Sequence, residues 1–352
     1  MYIYFSSTKK ILLIMIIYAA LLLSAGCAKI PDSQPPAFDE PIFCGFYTDS
    51  AGPFSSFASL VEQWPRIQEI SPLWYYIRAD GTIAEDIDQK ALALAREKNI
   101  KVIPLVAFAA NSSSIILIEP AARQSAVQDL IWIMRENGYD GINIDMEIVK
   151  DASRDYTPER NGLTQFIREL GEEMKPLGKR LDVCLAPPVQ PPINLAPIYD
   201  YGALCGLVDR AVIMAYDRHQ GGTLPGPVAP LPWVEDNIKA TLTAGYSPQQ
   251  LSLGIPGYGY VWPIGGTACR VAAMKDVADL MSQKGLTPGW DNEAKTPYLA
   301  YAGREIWFEN HRSIIEKANL VQKYQLAGCA MWRLGYEDSS FWLVLDSLKA
   351  GL

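Results

Sequence analysis

The fold of this chain is decided by the stretch GYDGINIDME, residues Gly138–Glu147. Alternate side chains of a β-strand share a face, so Asn143, Asp145 and Glu147 point one way and the apolar side chains between them point the other. Polar side chains that face an apolar interior are costly unless they interact or take part in chemistry. Glu147 comes last, at the strand end where parallel barrels place catalytic groups. The stretch therefore predicts a barrel strand whose polar face lies inside.

Short apolar runs recur along the chain, and amphipathic helical patterns separate them. Their length and their β-branched, aromatic and aliphatic residues are typical of buried parallel strands. The predicted strands are Ile42–Tyr47, Leu73–Ile77, Lys101–Phe108, Gly141–Glu147, Leu181–Ala186, Ala211–Tyr216, Leu251–Tyr258 and Gly328–Leu334. The helical patterns are Glu85–Lys98, Ala121–Asn137, Glu159–Lys175, Trp233–Ala244 and His311–Gln325. Strands alternating with helices in this way predict an α/β fold, the (β/α)8 TIM barrel. An open doubly wound sheet is the alternative, but no glycine-rich phosphate loop follows the first strand.

The segment of residues 261–307 is long for a connection between the seventh strand and its helix. It contains a helical pattern at Met274–Lys284. The connections that follow barrel strands lie at the end of the barrel where active sites form. We therefore expect a small insertion at the top of the barrel, within a single domain of residues 41–352.

The N-terminal residues have the order of a secretory signal. Lys9 and Lys10 precede an apolar run from Ile11 to Leu23, and small residues follow before Cys27. This predicts a signal peptide at residues 1–26, because the apolar run is too short to span a membrane comfortably. The cysteine after Leu-Ser-Ala-Gly resembles a bacterial lipobox, which implies acylation of Cys27 and a lipoprotein on the outer face of a bacterial membrane. An ordinary signal peptide or an uncleaved anchor is the alternative.

The remaining composition excludes several classes of partner. Residues 27–40 are proline-rich and lack periodicity, which favours a tether between the lipid and the barrel. The formal net charge is −8, and removal of the two lysines in residues 1–26 makes it more negative. Since no basic run stands out, we expect no nucleic-acid partner, and membrane attachment only through lipid. The other cysteines form no CxxC or cysteine–histidine cluster, so we expect no metal ion and no cofactor.

Asp145 and Glu147 are two carboxyls on one face of a partly dry site. Two such neighbours do not both ionise easily, so one takes a raised pKa and keeps its proton near neutral pH. A general acid that protonates a departing glycosidic oxygen needs that property. A buried polar cluster that only seals the barrel is the alternative interpretation.

Several stretches resemble the motifs of glycoside hydrolase family 18. Asp140–Glu147 is similar to the family's DxxDxDxE signature, with Asn143 in place of the middle Asp, as in the branch related to spore-cortex-lytic N-acetylglucosaminidases. Ile213–Asp217 is similar to the family's M-x-Y-D on the sixth strand. Further stretches that resemble this branch are His219 with Pro225–Trp233, Leu253–Pro256 with Tyr258–Tyr260, Ile306–Glu309 and Gly328–Asp338. Together they cover nearly the whole chain after the expected tether.

The resemblance implies a retaining glycoside hydrolase in which the 2-acetamido group of the substrate is the nucleophile. Carried over residue by residue, it makes Glu147 the proton donor and then the base that activates water. Asp145 would orient the acetamide and stabilise the oxazolinium intermediate. Tyr216 would donate a hydrogen bond to the acetamide oxygen.

The resemblance also implies four residues that bind the substrate or support its binding. Trp332 would form the floor beneath the sugar at the cleavage point, because an aromatic face suits the apolar C–H face of a sugar. Asp217 and Tyr258 would contact hydroxyl groups, and Asn143 would support Asp145. One departure is Val261, where the branch often has Asp before the Trp of the seventh-strand loop.

The expected substrate is a polymer of β-linked N-acetylglucosamine. The branch resemblance and the expected lipid anchor favour peptidoglycan, spore cortex included, with chitin next. The alternative is a non-catalytic, lectin-like glycan-binding lipoprotein. Such members of the family typically lose the Glu or the acetamide-binding residues, whereas Glu147, Asp145 and Tyr216 are all present here.

Overall fold

The computed structural model describes residues 41–48, 52–109 and 113–349. The expected signal peptide, Cys27 and the expected tether fall on residues 1–40 and lie outside the described residues. The described strands are β1 (Ile42–Tyr47), β2 (Glu69–Ile77), β3 (Ile83–Glu85), β4 (Lys101–Val102), β5 (Leu105–Phe108), β6 (Gly141–Asp145), β7 (Arg180–Leu185), β8 (Arg210–Ile213), β9 (Leu251–Pro256), β10 (Tyr258–Pro263), β11 (Arg270–Ala273), β12 (Gly289–Asp291), β13 (Thr296–Tyr301), β14 (Arg304–Trp307) and β15 (Gly328–Trp332). The described α-helices are α1 (Ser56–Gln63), α2 (Gln89–Glu97), α3 (Ser113–Ile118), α4 (Pro120–Asn137), α5 (Thr157–Met174), α6 (Tyr201–Leu204), α7 (Leu231–Thr243), α8 (Met274–Lys284), α9 (His311–Lys323) and α10 (Ser339–Lys349).

Parallel strands close into a barrel that helices surround. Their order around the barrel is β1, β2, β5, β6, β7, β8, β9 and β15, and β15 pairs back with β1. Cys44 of β1 lies opposite both Glu69 of β2 and Ala330 of β15, so the wall has no open edge. The predicted (β/α)8 barrel is therefore confirmed.

The third barrel strand is interrupted, where the sequence predicts one strand over Lys101–Phe108. Its two pieces, β4 and β5, both pair with β2 in parallel. Pro104 lies between them and has no N–H to donate to the ladder. Ile103 N still donates to Ile70 O at 3.0 Å, so the chain stays in the barrel wall.

Charged side chains fill the amino-terminal end of the barrel. Glu69, at the start of β2, accepts hydrogen bonds from Arg180 Nη1 at 2.6 Å and from Arg210 Nη1 at 3.0 Å. Arg180 also donates to Asp182 Oδ2 at 2.8 Å. Buried ions are costly unless they are paired, and here they pair with one another. This network seals one end of the barrel and leaves the carboxyl end for a site.

The connection after the seventh barrel strand, β9, carries its own antiparallel sheet with the order β11-β10-β14-β13-β12. The sheet begins at Tyr258, three residues before the predicted insertion of residues 261–307, and α8 matches the helical pattern at Met274–Lys284. The shift arises because the barrel strand ends at Pro256, and Tyr258 pairs with Ala273 inside the insertion. A small apolar core of its own includes Val261, Val277, Leu299, Ile306 and Phe308.

Across the described residues, no helix is long and apolar enough to cross a membrane. The cysteines of this part of the chain are free thiols: Cys44, Cys184, Cys205, Cys269 and Cys329.

Candidate active site

The carboxylate stretch lies at the open end of the barrel. Strand β6 ends at Asp145, and Glu147 follows just beyond it. Ile142, Ile144 and Met146 are at most 2% exposed and belong to the core between the barrel wall and the helices. The alternation of the strand therefore turns the two carboxyls towards the barrel interior and its mouth.

Asp145 has a buried carboxylate oxygen, Oδ1, with no hydrogen-bond partner among the described residues. Burial raises the pKa of Asp145. An unpartnered buried carboxylate oxygen costs free energy, and native proteins keep such groups mainly where they have a role. The site is therefore built to receive a donor or a positive charge next to Asp145.

Glu147 is exposed to the cleft, yet the surrounding protein displaces much of the water from its carboxyl. This desolvation raises the pKa of Glu147, and the negative charges of Asp145 and Asp217 raise it further. A carboxyl with a raised pKa keeps its proton at a pH where a free glutamate is ionised. Glu147 can therefore donate a proton near neutral pH.

Tyr216 and Asp217 follow the sixth barrel strand, β8, and line a recess together with Glu147. The Tyr216 side chain is buried, and its hydroxyl has no hydrogen bond to any residue that the structure describes. Asp217 has a backbone φ of 62°, in the left-handed region that only a few residue types adopt readily. This backbone places the Asp217 side chain against the insertion.

Two tyrosine hydroxyls hold the carboxyl of Asp217. Tyr258 Oη donates to Asp217 Oδ1 at 2.6 Å, and Tyr260 Oη donates to the same oxygen at 2.8 Å. Burial raises the pKa of Asp217, and these two hydrogen bonds oppose that rise. The hydroxyl proton of Tyr258 is therefore engaged in the hydrogen bond to Asp217.

Tyr260 is a site residue that the sequence analysis did not single out. It lies on β10 with Tyr258 and Trp262, and alternate residues of a strand share a face. The ring centroids of Tyr258 and Tyr260 are 5.6 Å apart, as are those of Tyr260 and Trp262. The alternate spacing of these three aromatic residues could have predicted a shared face. That prediction needs a new strand that begins at Tyr258, whereas the sequence indicated that Tyr258 ends the preceding strand.

Trp332 ends β15, the barrel strand opposite β6, and is partly buried. Its ring lies 5.5 Å from the ring of Phe46 at the end of the first strand. The indole therefore lies across the barrel mouth from Glu147.

Asn143 lies inside the barrel wall, and its expected role in substrate binding stays a prediction. It is only 2% exposed and lies below the cleft, inside the barrel. Its Nδ2 donates to Ser71 Oγ at 3.1 Å, and its Oδ1 accepts from Cys184 Sγ at 3.6 Å. The structure places no hydrogen bond between Asn143 and Asp145, so its amide braces neighbouring strands.

The recess at Glu147 is walled by residues that follow β7 and β8. Its lining residues are Glu147, Pro187, Pro192, Asn194, Leu195, Met214, Tyr216, Asp217 and Gln220. A larger groove lies on the outer wall between α4 and α5, but Arg123 pairs with Glu169 there, at 3.0 Å, and neither Asp145 nor Glu147 reaches it. In the described ranges, no group of three or more His, Cys, Asp or Glu side chains could hold a metal ion.

The family model described as "Glycosyl hydrolases family 18" matches residues 56–337, a segment that holds all of these site residues. The chain belongs to this family. It is therefore a glycoside hydrolase by family, as the resemblance of the carboxylate stretch predicts.

Several known proteins are similar to most of this chain. The Bacillus subtilis protein YdhD is 29% identical over 286 residues, which cover 77% of this chain and 66% of that protein. The cortical fragment-lytic enzyme of Bacillus subtilis is 25% identical over 336 residues, with coverage of 89% and 75%. The crystal structure of a chitinase from Chromobacterium violaceum has a TM-score of 0.78 at 26% identity and covers 89% of this chain and 99% of its own.

Proposed function

We propose that this protein is a retaining glycoside hydrolase that cleaves polymers of β-linked N-acetylglucosamine with the help of the substrate's 2-acetamido group. The observation that carries the proposal is the unpartnered, buried Oδ1 of Asp145 beside the raised pKa of Glu147. Among the described residues, no arginine or lysine pairs with Asp145 or Glu147, whereas Glu69 at the opposite end of the barrel pairs with Arg180 and Arg210.

The reaction begins with proton transfer from Glu147 to the glycosidic oxygen, which breaks the bond to the leaving sugar. The acetamide oxygen attacks the anomeric carbon and forms a cyclic oxazolinium ion. Asp145 accepts the acetamide N–H and stabilises the positive charge, while the Tyr216 hydroxyl donates to the acetamide oxygen. Glu147, now ionised, takes a proton from water, whose oxygen adds to the anomeric carbon and opens the ring.

The residues around this centre hold the sugar in place. The Trp332 indole provides an apolar floor opposite Glu147. Asp217 keeps one carboxylate oxygen on the two tyrosine hydroxyls and has its second oxygen for a sugar hydroxyl. Holding the acetamide against the anomeric carbon makes the attack intramolecular, which lowers the barrier by several kcal/mol, about 7 or more in favourable cases.

We propose peptidoglycan, including spore cortex, as the favoured substrate, and chitin as the next. The similarity to a cortical fragment-lytic enzyme supports the first, and the similarity to a chitinase supports the second. An exported lipoprotein acylated at Cys27 would meet wall glycan outside the membrane, which is why we propose that location as well.

The test incubates the full chain with peptidoglycan fragments and, in parallel, with chitin oligomers, and identifies products by mass spectrometry. Glu147→Gln should fold normally and lose activity by a factor of about 10² to 10⁴, because it removes the proton donor and keeps the shape. Glu136→Gln, on the outer face of α4, is the matched control and should keep full activity. Binding of one glycan without cleavage of either would refute catalysis and favour the lectin-like alternative.

A further inference from the structure

The recess at Glu147 has an inner part with Tyr216 and Asp217 and an outer part with Asn194 and Gln220. Asn194 O accepts from Lys150 N, three residues beyond Glu147, so the outer part lies farther from the barrel strands than the Glu147 carboxyl does. In the proposed function, the sugar that is attacked lies over Trp332 and the glycosidic oxygen lies at Glu147. The next sugar, which leaves, lies on the other side of that oxygen, and we place it against the outer part of the recess.

The outer wall of the recess is held in place before any sugar binds. Val189 N donates to Asn237 Oδ1, and Trp233 Nε1 donates to Val189 O, both at 2.7 Å. Lys150 N donates to Asn194 O, also at 2.7 Å, and ties the segment to the residues after Glu147. A wall that its own hydrogen bonds hold in position can bind a ligand without a further loss of conformational entropy in the loop.

Two amide side chains lie next to each other in this wall. Gln220 Nε2 donates to Asn194 Oδ1 at 2.5 Å, and Gln220 is 9% exposed. Among the residues that the structure describes, none donates to Gln220 Oε1 or accepts from Asn194 Nδ2. The pair therefore presents one free acceptor and one free donor group to the recess. If both amide groups were turned round, Asn194 Nδ2 would donate to Gln220 Oε1, and the pair would still have one free NH2 group and one free carbonyl oxygen.

We propose that Asn194 and Gln220 bind the 2-acetamido group of the leaving sugar and make the enzyme selective for it. This inference rests on the proposed function. An acetamido group carries one N–H donor and one C=O acceptor, which match the free acceptor and donor groups of the pair. Pro187, Pro192 and Leu195 provide apolar surface for the sugar ring. N-acetylglucosamine and N-acetylmuramic acid both carry this group, so the site fits the leaving sugar of chitin and of peptidoglycan.

The experiment compares two trisaccharides that share a non-reducing chitobiosyl unit. One has N-acetylglucosamine at the reducing end, and the other has glucose there. Release of the reducing-end sugar by the full chain gives kcat/KM for each, and their ratio measures selectivity for the acetamido group. Wild type should prefer the first substrate by about tenfold, the size expected for one or two neutral hydrogen bonds. Gln220→Leu and Asn194→Ala should each bring the ratio close to one.

Gln128→Leu, on the exposed face of α4, is the matched control and should keep the wild-type ratio. A ratio retained in both recess variants, or a wild type without preference, would overturn the proposal. Asn194 is exposed, so its variant keeps the test open if Gln220→Leu does not fold. A wild type that hydrolyses neither trisaccharide nor an aryl chitobioside would instead refute the proposed function and this inference with it.

Discussion

Replacing Asp217 with asparagine should move the alkaline limb of the pH–activity profile to lower pH. The charge of Asp217 is one cause of the raised pKa of Glu147. Activity needs the protonated form of Glu147, so activity is present below this pKa and is lost as pH rises through it. Without the negative charge of Asp217, Glu147 loses its proton at a lower pH, and the limb follows.

The expected shift is about one pH unit or less. Like charges at a few ångströms typically shift a pKa by about one unit or more, but Asp217 is the smallest of the three causes, and solvent screens the exposed Glu147. Asparagine keeps an Oδ1 that accepts from Tyr258 and Tyr260, so the side chain stays in place. The shift then reports the charge and not a rearrangement.

The assay measures kcat/KM against pH with a fluorogenic aryl chitobioside, because this profile reports groups of the free enzyme. Only the pH at which activity falls on the alkaline side is compared between wild type and variant. The maximal kcat/KM is not compared, because Asp217 also contacts sugar in the proposed function and its replacement changes that value too. Asp236→Asn, at an exposed position on α7, is the matched charge control and should leave the limb in place. An unmoved limb in Asp217→Asn, or a limb moved to higher pH, would refute the electrostatic reasoning.

Two further variants test other parts of the protein. Glu69→Gln removes the charged partner of Arg210 inside the barrel and leaves Arg180 paired with Asp182 alone. It should lower the free energy of unfolding by about 3–5 kcal/mol. Urea unfolding against wild type measures this, and a change under about 1 kcal/mol would contradict the argument. Cys27→Ser should abolish incorporation of labelled palmitate into the chain expressed in bacteria; equal labelling of the variant and wild type would contradict lipidation at this position.

Much of the barrel could be predicted because its signals are local. The strand Ile42–Tyr47 has the predicted bounds, since the residues of a short apolar run are enough to indicate a buried strand. Pro104 shows the limit of this approach: an apolar run predicted one strand, while the missing N–H divides it in two. Likewise, Tyr258 belongs to an apolar run in sequence but pairs with Ala273 in space.

The site was predicted in part for the same reason. Asp145 and Glu147 share a face by their spacing alone, and Tyr216 stands in a motif that the family resemblance identifies. Tyr260 stands in a stretch that resembles the family, but nothing in the sequence assigned it a role, and Gln220 carries no such signal. Their roles depend on partners distant in the chain, Asp217 for Tyr260 and Asn194 for Gln220.

The order of strands and helices and the face that carries the carboxyls follow from the sequence, because periodicity acts over a few residues. Which groups meet at the open end of the barrel depends on the tertiary structure. Closure of the barrel brings Trp332 across from Glu147, and the insertion brings two tyrosine hydroxyls to Asp217. It also left Asp145 Oδ1 unpartnered while Glu69 was paired, a difference that depends on neighbours far apart in the chain and so on the fold.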